Sequence, residues 1–326
     1  MKATATAHAN IALIKYWGKR DATLNLPAVG SLSLTLRELS TRTSVRFDSA
    51  LPRDRLLLNG VDTEGEPLLR VRRFLDLVRA RSSVRTHAEV ESHNNFPTAA
   101  GLASSSSGFA ALAVAASHAA GLDLGARDLS ILARRGSGSA ARSIFGGLVG
   151  HHCGEREDGV DSFSQPIVHS LPLRMVIATV SERAKTIGSS QGMADCARTS
   201  PYYRAWVAAA PGMLEAAKRA ISGRDLTALG ELTEASALCM HACALSARPA
   251  IVYMQGATLD GYHAIVNARK RGIPVWFTCD AGPQIKALTD DAHAREVSHL
   301  LATIPQVLRT LVCTPGEPAT VVEAPL

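Results

Sequence analysis

Residues 92–121 constrain this chain more than any other stretch. An extended segment, His87 to Ser92, leads into a loop punctuated by Pro97 and Gly101. Four serines, Ser104 to Ser107, follow at the place where a helix should begin. Behind them, Gly108-Phe109-Ala110-Ala111-Leu112-Ala113-Val114-Ala115-Ala116 is made almost entirely of helix formers. A serine-rich helix start offers unpaired backbone N–H groups, the positive end of the helix dipole and hydroxyl donors. Together these make a seat for an anion such as phosphate. The same residues also describe an N-capped core helix after a turn, and the stretch alone leaves both readings open.

The chain has 326 residues, 46 % of them hydrophobic, enough for two ordinary domains or one large one. No apolar run approaches the roughly 20 residues of a membrane-spanning helix. The N-terminal residues show no long apolar core behind a basic head. The expectation is a soluble, cytoplasmic protein. Six cysteines, Cys153, Cys196, Cys239, Cys243, Cys279 and Cys313, form no C-x-x-C pair and read as free thiols. His151-His152-Cys153 has no partner set at ligand spacing, which argues against zinc. The net charge of +6 is spread along the chain with few aromatics between the basic residues. That pattern does not resemble a nucleic-acid stripe and suits an anionic small molecule at least as well.

Residues 3 to 15 and Leu32 to Leu36 read as strands, with Thr41 to Phe47 as the hairpin partner of the latter. Glu66 to Arg81, Ala126 to Arg135 and Thr258 to Arg271 have helical spacing. Met175 to Val180 and Pro274 to Thr278 are apolar strands. Helical spacing resumes from Gln284, and Val307 to Cys313 is a last strand. A strand-rich first half and a helix-rich second half predict an α+β chain with a boundary near residue 170.

Several motifs are tested by their context. No P-loop is present, because Leu13 stands where Gly18-Lys19 would need the first glycine. Gly136-x-Gly138-x-x-Ala141 matches a dinucleotide fingerprint but follows a helix, not a strand. Its two glycines still permit close backbone approach to a ligand, with Ser137, Ser139 and Arg142 as donors. Gly188-x-Ser190-x-Gly192 matches a serine-hydrolase elbow, with Asp280 and His299 to complete a triad, but polar residues separate it from the preceding strand. Asp280, at a strand end before Gly282-Pro283, suits a general base or the N-cap of a following helix. His241 reads as a core histidine, and Arg70, Arg72 and Arg73 as a solvated helix face.

Five segments taken in order resemble one family. They are Ala9 to Asp21, Asn95 to Ser105, Arg135 to Ser143, Ser189 to Met193 and Asp280 to Pro283. Together they resemble mevalonate diphosphate decarboxylase, in the GHMP kinase superfamily, over about residues 5–290. The resemblance implies an N-terminal domain like the second domain of ribosomal protein S5 over residues 1–170. A C-terminal α+β sandwich would cover 171–326, with the active site in the cleft between. It implies ATP and Mg²⁺ as cofactors, mevalonate 5-diphosphate as substrate and a homodimer. The reaction would phosphorylate the 3-hydroxyl, then lose phosphate and carbon dioxide to give isopentenyl diphosphate.

The same resemblance implies roles. Asp280 would accept or orient the hydroxyl proton, with Lys15 keeping it ionised. Arg142 would bind substrate and steady the departing charge, and Asn10 would orient Arg142 or the substrate. Tyr16, Lys19, Ser137, Gly138, Ser139 and Ser190 would line the substrate site. Pro97, Ala100, Gly101, Leu102 and Ala103 would approach the ATP phosphates. Ser104 and Ser105 would hold those phosphates and Mg²⁺. Ser189, with Lys185, would close on the γ-phosphate. Two positions depart from the pattern: Ser190 stands where some bacterial relatives carry Arg, and Ser236 where a related helix often carries Asn. These changes leave open a monophosphate decarboxylase or a 3-kinase; the remote alternative is a serine hydrolase at Ser190.

Overall fold

The computed structural model describes residues 1–96, 104–183 and 185–323. In chain order, strands β1 (Lys2–Ile14), β2 (Lys19–Asp21), β3 (Leu26–Pro27), β4 (Ser31–Asp48), β5 (Arg55–Leu58) and β6 (Val61–Asp62) come first. Helix α1 (Glu66–Arg79) and strand β7 (His87–Asn94) precede α2 (Ser104–Ala119) and α3 (Ala126–Gly136). A 3-10 helix (Gly138–Ile144), β8 (Leu148–His151) and β9 (Ser164–Pro166) close the first half. The second half runs β10 (Leu173–Thr179), α4 (Ser189–Thr199), α5 (Tyr203–Ser222), α6 (Leu226–Leu245) and α7 (Gly256–Lys270). It ends with β11 (Val275–Thr278), β12 (Ile285–Asp290), α8 (Ala294–Ala302), β13 (Arg309–Cys313) and β14 (Thr320–Glu323). Among the described residues no helix is long and apolar enough to cross a membrane.

Two sheets carry the molecule. The first has the path β14-β1-β4-β7-β5-β6, with β8 and β9 branching from β4, and the second has the order β11-β12-β10-β13. Strand β1 serves both halves. Ala3, Ala5 and Ala7 pack in the core beneath α2, whose alanines allow close approach to the sheet. Beyond a register shift between His8 and Asn10, the next inward residues Ala9, Ile11 and Leu13 pack with Leu214, Leu229 and Leu288 of the second half. The exit of β1 is then fixed by Trp17, buried among Met193, Trp206, Met240 and Tyr253. One strand therefore carries its C-terminal end, Lys15 and Tyr16, from the first core into the junction.

Two expectations from the sequence are corrected. Residues 32–36 and 41–47 are not a hairpin but parts of the single strand β4. Arg37-Glu38-Leu39-Ser40 contains no Gly, Pro, Asn or Asp to turn the chain. The strand bends there instead, and the bend is held from outside: Arg37 N–H donates to the Thr314 carbonyl and Thr314 donates to Glu38. The segment from Gln284 is not helix but β12, the strand between β11 and β10. Residues 285–289 are all buried, so the strand has no alternation to read, and its Lys, Ala and Leu are ordinary helix formers. The chain also crosses back: β14 pairs antiparallel with β1, so residues 320–323 complete the first sheet rather than the second unit.

Helix α6 lies against β11 through Gly230, where an added Cβ would sit 2.0 Å from the Trp276 ring. Overpacking of this kind costs about 1–3 kcal/mol. Gly230→Ala should lower the urea midpoint accordingly; an unchanged midpoint would show that Trp276 can move aside.

Candidate active site

Strand β11 ends at Thr278, and Cys279-Asp280-Ala281-Gly282 turns the chain back into β12. The turn is closed by Gly282 N–H to the Asp280 carbonyl at 2.8 Å and by the Cys279 thiol to the Gly282 carbonyl at 3.1 Å. Asp280 caps no helix, since a strand follows it. Its carboxylate lies between two ammonium groups: Lys15 Nζ at 2.7 Å from Oδ1 and Lys286 Nζ at 3.2 Å from Oδ2. Both lysine side chains are 1 % exposed, while that of Asp280 is 25 % exposed. Burial pushes the Asp280 carboxyl up, but the two lysines outweigh it and hold the group well below the usual carboxylate range. Burial pushes Lys15 down, and its ion pair with Asp280 opposes this.

Lys15 is fixed from both ends. Its Nζ also donates to the Ala12 carbonyl at 2.8 Å, and its backbone N–H donates to Ser236 Oγ on α6 at 2.9 Å. His241, one turn further along α6, is buried and lowered to about 4, first by desolvation and then by Lys15. It is therefore neutral, as a core histidine should be.

A second layer surrounds Arg142 in the 3-10 helix. Its guanidinium is buried, donates from Nε to Asn10 Oδ1 at 3.2 Å and from Nη1 to Ser31 Oγ at 2.7 Å, and lies 6.0 Å from the Tyr16 ring centroid. Asn10 is oriented in turn, its amide donating to the Ser139 carbonyl at 3.0 Å and Ser143 Oγ at 2.8 Å. Burial lowers Arg142 to about 10, which leaves it charged at neutral pH. Gly138 is required by close approach, because a Cβ there would lie 2.3 Å from the Tyr16 hydroxyl. That hydroxyl is buried with no hydrogen-bond partner among the described residues. A buried donor beside a guanidinium, with nothing yet to pair with, fits an anionic ligand oxygen.

The outer end of the site is polar. Lys19 Nζ donates to Asn25 Oδ1 at 2.7 Å and to Ser190 Oγ at 3.2 Å. Ser137 Oγ lies 3.3 Å from Ser139 Oγ and 3.4 Å from Ser105 Oγ, which joins the 3-10 helix to the start of α2. Ser189 opens α4 and accepts from Lys185 Nζ at 2.7 Å, while the same ammonium reaches the Ala281 carbonyl at 3.2 Å. Lys185 and Ser189 thus stand beside the Asp280 turn.

The serine run divides in two. Ser106 and Ser107 point inward, and Ser107 Oγ is 2.6 Å from Thr41 Oγ1, which donates to Asn94 Oδ1 at 2.6 Å. Ser104 is half-buried and Ser105 exposed at the helix start. Pro97, Ala100, Gly101, Leu102 and Ala103 lie outside the described residues. Among the described residues no cluster of three His, Cys, Asp or Glu side chains could hold a metal. The site offers hydroxyl oxygens instead, so Mg²⁺ would be held chiefly by a nucleotide's own phosphates, with the ammonium groups pairing the remaining phosphate charge.

The hydrolase alternative finds no support in this geometry. Ser190 Oγ is bonded to Lys19, lies in the first turn of α4 rather than directly after β10, and His299 is exposed on α8. Sequence reasoning missed two neighbours of the site. Lys286 was hidden by the misread strand. Asn25, at φ +52°, holds Lys19 and donates to the Arg135 carbonyl at 2.8 Å. Arg70 is exposed, as read from the sequence, and from that face it also lies over the Phe109 ring at 4.9 Å and donates to the Gly136 carbonyl at 3.0 Å.

Comparison with known proteins agrees over nearly the whole chain. Residues 7–164 match the family model for the diphosphomevalonate decarboxylase-like N-terminal domain, and residues 175–315 match that for the mevalonate 5-diphosphate decarboxylase C-terminal domain. The diphosphomevalonate decarboxylase of Homo sapiens is 38 % identical, covering 90 % of this chain and 78 % of its own. A structure of MDDEF in complex with MVAPP, AMPPCP and magnesium superposes with a TM-score of 0.94 at 39 % identity, covering 99 % of each chain. The mevalonate diphosphate decarboxylase of Staphylococcus aureus has the same TM-score at 36 % identity, covering 99 % of this chain and 98 % of its own.

The lowered pKa of Asp280 has a consequence for stability. The ionised carboxylate stabilises the fold above its unfolded value of about 3.9, and the contribution fades as pH falls through the lower folded value. Asp280→Asn should therefore melt below wild type at pH 7, and the gap should narrow below about pH 4. A gap that stays constant down to the lowest pH at which both fold would contradict the pairing.

Proposed function

We propose that this chain, which belongs to the diphosphomevalonate decarboxylase family, uses ATP to phosphorylate the tertiary 3-hydroxyl of mevalonate 5-diphosphate. Release of phosphate and carbon dioxide then yields isopentenyl diphosphate. The observation that carries this reading is the Asp280 carboxylate, 25 % exposed and held by Lys15 and Lys286 beside Lys185 and Ser189.

The residues divide the work by chemistry. Phosphoryl transfer has a loose transition state, so the attacking hydroxyl loses its proton late. A carboxylate flanked by two cations is a weak base but a fixed acceptor, suited to orienting that hydroxyl and taking its proton as the new P–O bond forms. Lys185 and Ser189, at the start of α4, stand where they would meet γ-phosphate oxygens, with Ser104 and Ser105 holding the inner phosphates. Mg²⁺, when bound, neutralises and orients the phosphate oxygens. Arg142 and the unpaired Tyr16 hydroxyl would receive the substrate's anionic groups, and Lys19, Asn25 and Ser190 would receive its 5-phosphate end.

Decarboxylation then needs little more from the protein. The C–C bond to the carboxylate breaks, its electron pair becomes the C=C bond, and the C3–O bond to phosphate breaks. Arg142, fixed by Asn10 and Ser31, offers a desolvated donor pair to the charge that leaves. Excluding water from this cleft protects ATP from hydrolysis. The family reading also carries a homodimer and a cytoplasmic location as proposals, the first checked by sedimentation.

The direct test is to supply ATP and Mg²⁺ with mevalonate 5-diphosphate or 5-monophosphate and to measure ADP and carbon dioxide. Equal release of both with the diphosphate supports the proposal. ADP without carbon dioxide would make the protein a 3-kinase, and turnover with the monophosphate alone would move the substrate. Asp280→Asn should bind ATP and substrate but lose about 10²- to 10⁴-fold in kcat, the range for a positioned acid–base group. Arg142→Lys should lose most activity too, because a point charge cannot replace the planar fork. Near-normal turnover in either variant would remove that residue from the mechanism.

A further inference from the structure

Lys286 stands where an apolar residue would be expected. Ile285, Ala287, Leu288 and Thr289 around it in β12 are all fully buried, and its own side chain is 1 % exposed. An ammonium group taken out of water costs several kcal/mol unless it is paired. Lys286 pairs with Asp280 Oδ2, reached across the turn between β11 and β12.

We propose that Lys286 is a positioning residue of this reaction, holding the Asp280 carboxylate from its buried side so that the remaining edge faces the hydroxyl to be phosphorylated. The proposal rests on the function proposed above and deepens it. Lys286 has almost no surface toward the cleft, so it acts through Asp280 rather than on substrate. Lys15 reaches Oδ1 and Lys286 reaches Oδ2, and two such contacts fix both the position and the rotation of the carboxylate.

The charges that face Asp280 come from every element around it. They are Lys15 at the end of β1, Lys286 in β12, Lys185 before α4 and Arg142 in the 3-10 helix. The neutral neighbours are Cys279, whose thiol burial pushes up to about 11, and His241 on α6. One carboxylate thus faces several cations, and the cluster holds an excess of positive charge in a poorly solvated place. Removing Lys286 would leave Asp280 less strongly ionised and would relieve Lys15 of a like charge. Both effects have the same sign: the acidic and the basic limbs of the activity profile move to higher pH.

The test uses the full chain and the variants Lys286→Met, Asp280→Asn and the double variant, with ADP release followed across pH under saturating ATP and mevalonate 5-diphosphate. Lys286→Met should keep KM within about threefold and lose about 10- to 100-fold in kcat, as a misplaced group does. Its pH limbs should shift upward together. In the Asp280→Asn background the same substitution should cost nothing further in single-turnover rate, because residues that act through one another are non-additive. Unchanged kcat, unmoved limbs, or an equal loss in the Asp280→Asn background would each overturn the proposal and leave Lys286 a structural ion-pair partner. Should Lys286→Met fail to fold, Lys286→Gln, which keeps a donor but no charge, is judged by the same outcomes. Wild-type protein that releases no ADP overturns the proposed reaction itself, a result distinct from an active enzyme indifferent to Lys286.

Discussion

The Lys15–Asp280–Lys286 contact is the constraint on which the rest of the molecule turns. Two ammonium groups are withdrawn from water around a carboxylate that stays partly exposed, and the buried charges are tolerable only because they are paired with it. Their elements come from different halves of the chain. Strand β1 begins in the first sheet and delivers Lys15, while β11 and β12 of the second sheet deliver Asp280 and Lys286. The pairing therefore needs both cores in register. This explains why β1 packs against two clusters in succession, and why its exit is anchored by Trp17 and by the Lys15 N–H bond to Ser236.

Around that centre the protein arranges donors whose protein partners carry little negative charge. Arg142, Lys185, Lys19, the Tyr16 hydroxyl and the exposed start of α2 converge on the same region. Their local partners, such as Asn10, Ser31 and Asn25, are neutral. An excess of fixed positive groups is unfavourable in isolation and becomes favourable when an anion enters. That charge balance is the physical basis on which a polyanionic ligand is proposed for the site. Asp280 is the exception in sign, and its neighbours hold it ionised; under the proposed function that suits it to orient a hydroxyl rather than to strip a proton from it early.

Much of this was legible in the sequence, in proportion to how local the signal was. The serine run and the alanine-rich residues behind it announced α2, and Gly136 to Arg142 announced a break and a short helix with ligand-facing donors. Asp280 was visible because a carboxylate at a strand end before Gly282-Pro283 is chemically conspicuous. What stayed hidden depended on partners far along the chain. Residues 32–47 looked like a hairpin because the bend in β4 is held by Thr314, which no local pattern predicts. Lys286 was lost because a strand buried on both faces has no alternation, and Lys-Ala-Leu reads as helix. Arg70 was rightly read as exposed, but its contacts with Phe109 and the Gly136 carbonyl lie on other elements and had no local signal. The serine-hydrolase pattern at Ser190 was the converse case, a local match that the surrounding geometry does not support.

The protonation of Asp280 tests the central claim most directly. In protein labelled with ¹³C at aspartate carboxyls, the resonance missing from Asp280→Asn identifies the group. The account predicts that this signal stays in its ionised position from neutral pH down through about 3.9, the ordinary aspartate value, and moves only below it. A midpoint at or above that value would mean that Lys15 and Lys286 do not control the carboxylate, and the account of the site would fail.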